Sequence, residues 1–166
     1  SKSLTPRGVL ILLCSNLSRI IHPTDHQFIS RDFKQFALLK PIHRSALILH
    51  FMKLIIGLGN PGKEFEFTRH NAGWLALDKF VLAENLTSKK SSKLQAEIFD
   101  YKVGRNKVVL AKPQTFMNNS GISVGIMLNF FRLTAKDIIV MHDDKDIPVG
   151  EIRVQTNRGA AGHNGV

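Results

Sequence analysis

Four stretches of this chain carry the residue types from which a hydrolytic site can be built. Met52–Trp74 runs from an apolar segment through Gly57-Leu58-Gly59-Asn60-Pro61-Gly62 and a polar loop to Arg69-His70-Asn71. Pro113-Gln114-Thr115-Phe116-Met117-Asn118, His142-Asp143-Asp144 and Gly162-His163-Asn164-Gly165 follow. A neutral imidazole, with an ordinary pKa of about 6.5, can take a proton from water near neutrality. A carboxylate on its other ring nitrogen fixes the tautomer and stabilises the imidazolium that forms. His70 with Asp143 would make such a base and its orienter, a device that contributes about 10²–10⁴-fold. Asn60 and Asn118 add uncharged donors and acceptors that can hold a water or steady an oxyanion. No activated Ser or Cys nucleophile is evident. The chemistry is therefore direct attack of water on an activated carbonyl, an ester above all.

Each residue also has a plainer reading. His70 alone reads as a helix-cap or surface histidine, and Asn118 as the N-cap of a following helix. His142 could simply support a strand end. Trp74, Phe116 and Met117 read as core. Lys89, Lys90 and Lys93 read as a solvated loop, whereas Arg153 and Arg158, flanking the last turn, are better placed for phosphate contact. Gly57–Gly62 has the G-x-G-x-x-G spacing of dinucleotide-binding turns. Pro61 sits inside it, no helix begins at once and no acidic residue closes a second strand, so a tight turn is preferred. Asp143, Asp144 and Asp146 lack the spacing and the bidentate glutamate of a calcium loop. A metal is not expected.

The elements that must position these groups follow from hydrophobic period. Lys53–Leu58 and Asp137–Met141 read as strands buried on both faces. Asn71–Glu84 carries Trp74, Leu75, Leu77, Phe80, Val81 and Leu82 at helical spacing. Leu94–Val103 and Lys107–Ala111 read as a hairpin around Gly104-Arg105-Asn106, with Thr87–Lys93 a loop before it. Asn118–Arg132 is a second helix, with Ile122, Val124, Ile126, Met127, Phe130 and Phe131 mostly in the core. Glu151–Gln155 is a short strand. This is an α/β chain: one domain, a twisted mixed sheet and flanking helices. If the Lys53, Lys107 and Asp137 strands run parallel, Asn60, Asn118 and Asp143 share one rim, which His70 can reach. Ligands gather on that rim in such sheets.

Composition bounds the rest. The 166 residues suit one domain, and 23 Lys+Arg against 13 Asp+Glu give a formal net charge of +10. That excess favours a polyanionic partner, nucleic acid before membrane. The one cysteine, Cys14, excludes an intrachain disulfide. No apolar stretch is long enough to span a bilayer. The expected division is at Met52. Residues 1–51 are basic, Ser-containing and acid-poor, an extension outside the fold or an organellar transit segment. Residues 52–166 are the domain.

Together, GLGNPGKEFEFTRHNAGW (57–74), KPQTFMNNSG (112–121), FFRLTAKDIIVMHDD (130–144) and GAAGHNG (159–165) resemble the bacterial-type peptidyl-tRNA hydrolase family. The resemblance covers 52–166 and omits 1–51. It implies cleavage of the ester between a peptide and the tRNA 3′-terminal ribose, without metal or cofactor, by a monomer. It makes His70 the general base, Asp143 its orienter, and Asn60 and Asn118 the groups that position water and substrate. Phe65, Met117, His163 and Asn164 fall at substrate- and tRNA-binding positions, Asn164 also helping to hold the water. Basic side chains would meet the acceptor stem. Phe65 replaces a tyrosine common in the family, keeping the ring and losing the hydroxyl. The family pattern also runs on past the final Gly-rich turn, through further strands, a basic region and a lid-like helix. The chain is thus expected to be C-terminally truncated, and unstable or poorly active alone. The expected compartment is the cytoplasm, or a mitochondrion or plastid if 1–51 is a transit peptide. The alternative function is that of a non-catalytic RNA-binding relative in organellar intron splicing.

Overall fold

A computed structural model of the chain describes residues 9–14, 52–148 and 151–156, the side chains of 9–14 and 156 excepted. Its strands are β1 (Val9–Cys14), β2 (Met52–Gly57), β3 (Lys89–Ser91), β4 (Ala96–Val103), β5 (Asn106–Pro113), β6 (Ile138–Asp144) and β7 (Ile152–Thr156). Its longer helices are α1 (Ala72–Ala83) and α2 (Ser120–Phe131). Among the described residues the strands form one sheet in the order β3-β4-β5-β2-β6-β1-β7. β2 pairs parallel with both β5 and β6, as the sequence leads one to expect. β4 and β5 form the expected antiparallel hairpin.

Two apolar layers enclose the sheet. Ile55, Val108, Leu110, Ile139 and Met141 meet Ala72, Ala76, Leu77 and Phe80 of α1 on one face. On the other, Leu54, Ile56, Val109 and Ala111 meet Met127 of α2. The strict alternation along β2 and β5 is the period of two that a strand imposes, and it explains why both run apolar throughout. Each large side chain fully buried this way contributes about 1.5–3 kcal/mol.

Glycine sets the distance between α1 and the sheet. A Cβ on Gly73 would lie 2.3 Å from the Met141 carbonyl oxygen and 2.5 Å from the Leu58 nitrogen. One on Gly57 would lie 2.4 Å from the Gly73 carbonyl oxygen. The first turn of α1 therefore rests directly on the strand ends, and the Trp74 N–H donates to the Leu58 carbonyl at 3.2 Å. This contact brings the residues just before α1 to the rim.

Several boundaries differ from the sequence reading. The hairpin turn shortens to Gly104-Arg105, because Asn106 pairs with Val103 and Gly104 takes φ +59°. Lys89–Ser91, expected as loop, pairs with the open edge of β4 as a polar edge strand. Backbone pairing, not side-chain pattern, makes it a strand. On α2 the inward face is Ser120, Ser123 and Met127. Ile122 and Phe130, expected in the core, are exposed, as is Leu82 on α1. A helix apolar all round gives no periodicity from which to choose its buried side.

Val9–Cys14 also departs from the expectation that all of 1–51 lies outside the fold. As β1 it pairs parallel with β6 and antiparallel with β7. Among the described residues no helix is long and apolar enough to cross a membrane.

Candidate functional site

The site lies where β2, β5 and β6 end, on the rim that a parallel sheet offers to ligands. β2 leads into the Gly57–Gly62 turn, and β5 leads into a short helical turn, Met117–Asn119. β6 continues as strand through Asp144, so Asp143 belongs to the strand instead of lying beyond it. The reason is that β1 pairs with it there, Leu12 opposite His142 and Leu13 opposite Asp143. A short helical turn, Arg69–Asn71, precedes α1 and carries His70.

His70 and Asp143 meet. Nδ1 of His70 stands 3.1 Å from Oδ1 of Asp143. The Asp143 side chain is only 6% exposed, while that of His70 is 43% exposed. A carboxylate accepts only, so in this contact it is Nδ1 that donates; a neutral ring so held keeps its lone pair on Nε2. A buried carboxylate thus contacts a half-exposed ring.

His142 faces the opposite way. It is buried, and its Nδ1 donates to the Asp143 carbonyl at 2.6 Å, in keeping with its reading as strand support.

Asn60 is held by its neighbours. Its backbone N–H donates to Asn71 Oδ1 at 2.7 Å, and its carbonyl accepts from Asn71 Nδ2 at 3.1 Å. Its own Oδ1 accepts the Met117 N–H at 2.7 Å. The turn after β2, the turn before α1 and the turn after β5 are thereby tied together. Asn71 is missing from the sequence reading, which takes it only as the first residue of a helix. Its polarity beside His70 was a weak signal, and only its 2% exposure in the fold reveals the role.

Asn118 is exposed on the Met117–Asn119 turn, one residue from the Asn60 contact. It does not cap α2, whose first flanking residue is Asn119. The Met117 side chain is buried in the α2-side core with Leu58 and Ala111, so its backbone, not its thioether, faces Asn60. Phe116, read as core, is instead 58% exposed, and its ring stands edge-on to Phe65 with centroids 6.4 Å apart. Two aromatic rings thus flank this end of the sheet. His163, Asn164 and Arg158 lie outside the described residues. Arg153 is exposed on β7, at the sheet edge.

Below the rim, Lys112 is almost wholly buried. Its ammonium stands 2.6 Å from Asp78 Oδ1 and 3.6 Å from Glu97 Oε2, over the Trp74 ring at 5.0 Å. Trp74 in turn backs the Gly59 turn, where an added Cβ would meet its ring at 2.6 Å. Asp144 Oδ1 accepts the Asp146 N–H at 2.8 Å, folding the acidic loop on itself. Among the described residues no three His, Cys, Asp or Glu side chains converge as metal ligands would.

Comparison with known proteins agrees with this architecture. The peptidyl-tRNA hydrolase family model matches residues 54–166. A peptidyl-tRNA hydrolase of Mesoplasma florum is 46% identical over 115 residues, 69% of this chain and 61% of that protein. One of Lactobacillus gasseri is 46% identical over 115 residues, 69% of this chain and 62% of that protein. The crystal structure of peptidyl-tRNA hydrolase from Acinetobacter baumannii superposes with a TM-score of 0.66 at 35% identity. That match covers 72% of this chain and 61% of that one. The chain thus spans about three-fifths of the length of these relatives. β1 stands outside the matched residues.

Proposed function

The chain belongs to the peptidyl-tRNA hydrolase family, and from that premise we propose that it hydrolyses the ester between a peptide and the 3′-terminal ribose of tRNA. The observation that carries the reading is the contact between His70 and Asp143. In this reading Nε2 of His70 takes a proton from a water as the water oxygen attacks the ester carbonyl. Asp143 stabilises the imidazolium. The tetrahedral intermediate collapses, the C–O bond to the ribose breaks, and the departing ribose oxygen takes the proton back from His70. The products are a free peptide carboxylate and tRNA with an intact 3′ hydroxyl.

Asn60 and Asn118 are assigned to the reacting groups, and Phe65 to the 3′ end of the tRNA. Met117 enters through its backbone. His163 and Asn164 are assigned to the peptide side of the cleft on the family pattern alone. The +10 net charge supports binding to the acceptor stem. The scheme needs no cofactor. The acting species is taken to be a monomer in the cytoplasm. A buried carboxylate aimed at a half-exposed imidazole favours hydrolysis over non-catalytic RNA binding.

The test is release of peptide from a peptidyl-tRNA analogue by the wild type and by His70→Ala. Turnover by the wild type, reduced about 10²–10⁴-fold in the variant, is expected. Equal turnover by the two would remove His70 from its role. Binding of the analogue without cleavage by the wild type would favour the RNA-binding function.

A further inference from the structure

β6 runs farther toward the rim than the β2 strand beside it. Its pairing with β2 ends where Gly57 stands opposite Met141, and the Leu58 N–H closes that ladder on the Met141 carbonyl at 2.9 Å. His142, Asp143 and Asp144 lie past that point. Among the described strands β1 alone pairs with them, setting Leu12, Leu13 and Cys14 opposite in turn. β1 is itself an interior strand, because β7 runs antiparallel along its other side and has no other neighbour in the described sheet. Yet Val9–Cys14 precedes the residues 54–166 that the family model matches. Successive side chains of a strand point to opposite faces, so a slip of one residue exchanges the groups on each face. Asp143 meets His70 while its neighbour His142 faces away. The register of this strand end therefore decides which side chain orients the ring.

We propose that β1 is a positioning element of the hydrolytic site: its pairing with the rim end of β6 pins the register that brings the Asp143 carboxylate to His70. The proposal rests on the ester-hydrolysis reading and extends the working site to residues outside the family-matched domain. Buried backbone groups have to be paired. Asp143 is buried at a point where β2 offers no further ladder, so its strand takes its partner on the β1 side. Without β1 this end would be a single span of chain, free to fray. A carboxylate on a fraying end holds the imidazole for only part of the time, and misplacement by about 1 Å can cost about 10²-fold in rate. Both ladders of β1 contribute, since pairing with β7 keeps β1 from being an edge strand.

Leu12→Pro is the first test, since proline removes a ladder N–H and does not fit inside a sheet. Assayed on a peptidyl-tRNA analogue well below its melting temperature, it should lower kcat at least about tenfold with KM little changed. Leu12→Val keeps the N–H and should retain most of the wild-type kcat. The same proline placed in Asp143→Asn should lower kcat by less than about twofold further, because a strand that acts through Asp143 then has nothing left to aim. Equal losses in both backgrounds, or a wild-type kcat in Leu12→Pro, overturn the proposal. Amide hydrogen exchange of the unaltered protein gives a second reading that does not depend on turnover. Leu12, Leu13, His142 and Asp143 should exchange as slowly as the buried strand residues Ile55 and Leu110. In Leu12→Pro, exchange at Asp143 should quicken while Leu110 keeps its protection. Exchange of Val9–Cys14 at the rate of an unfolded chain overturns the strand and the proposal with it. Should Leu12→Pro fail to fold, Cys14→Pro, opposite Asp144 at the end of β1, makes the same comparison with less pairing lost. An inactive wild type sinks the hydrolase reading and the positioning role together; exchange then separates the two failures, since slow exchange in Val9–Cys14 leaves the strand pairing standing.

Discussion

His70 Nδ1 and Asp143 Oδ1 stand 3.1 Å apart although 73 residues separate them in the chain. One is carried by the turn before α1, the other by a strand at the centre of the sheet. Their contact depends on how closely α1 approaches the ends of β2 and β6.

Asp143→Asn keeps the shape of the side chain and removes the charge that favours an imidazolium. A kcat lower by about 10²–10⁴-fold is expected, with thermal stability close to wild type. Steady-state kinetics on a peptidyl-tRNA analogue checks it. Full activity in this variant would dissociate the carboxylate from the reaction.

Gly73→Ala puts a methyl group against the Met141 carbonyl and the Leu58 backbone, neither of which is a flexible side-chain tip. The helix must lift. A loss of about 1–3 kcal/mol is expected in urea unfolding, together with a lower kcat, because His70 rides on the same segment. Unchanged stability would mean that the helix contact adapts freely.

Lys112→Met removes an ammonium that Asp78 and Glu97 both face and that the Trp74 ring covers. Loss of the charged hydrogen bond to Asp78 should cost about 1.5–3 kcal/mol, reduced because Asp78 is itself half-exposed. Denaturant titration measures it. A more stable variant would show that desolvation of the ammonium outweighs its partners.

Burial works against the charged form of Asp137. Hydrogen bonds from the Thr134 backbone and hydroxyl, with the Lys53 ammonium, outweigh it and hold the carboxyl below its ordinary value. A carboxyl lowered in the folded state stabilises the fold above the ordinary carboxylate range and ceases to do so as pH falls through it, since the unfolded chain takes up the proton first. Asp100, lowered by its hydrogen bond to Lys89 and then by Lys107 against some burial, has the same sign but is more exposed and contributes less. The melting-temperature gap between wild type and Asp137→Asn should therefore narrow from about pH 6 to about pH 3. A gap that widens on acidification would reverse the assignment. Thr134→Ala removes the other half of the same capping box and should cost about 0.5–2 kcal/mol.

The sequence by itself determined the fold class, the parallel core of β2, β5 and β6, and the candidacy of His70, Asp143, Asn60 and Asn118. Runs such as Leu54–Ile56 and Val108–Ala111 are apolar at every position, which only a strand covered on both faces tolerates, and the polar turns follow such strands directly. Tertiary structure alone decided the rest. Phe116 and Met117 are adjacent and both apolar, yet one is exposed beside Phe65 and the other sealed in the core. Ile122, Phe130 and Met127 share one helix whose apolar residues point all round it, so local pattern cannot choose the buried side. Asn71 looks like any polar residue at a helix start until the fold brings the Asn60 backbone against its carboxamide. Pattern along a chain reports which residues leave water. Which polar groups then face each other depends on contacts between distant segments, and no local period encodes those.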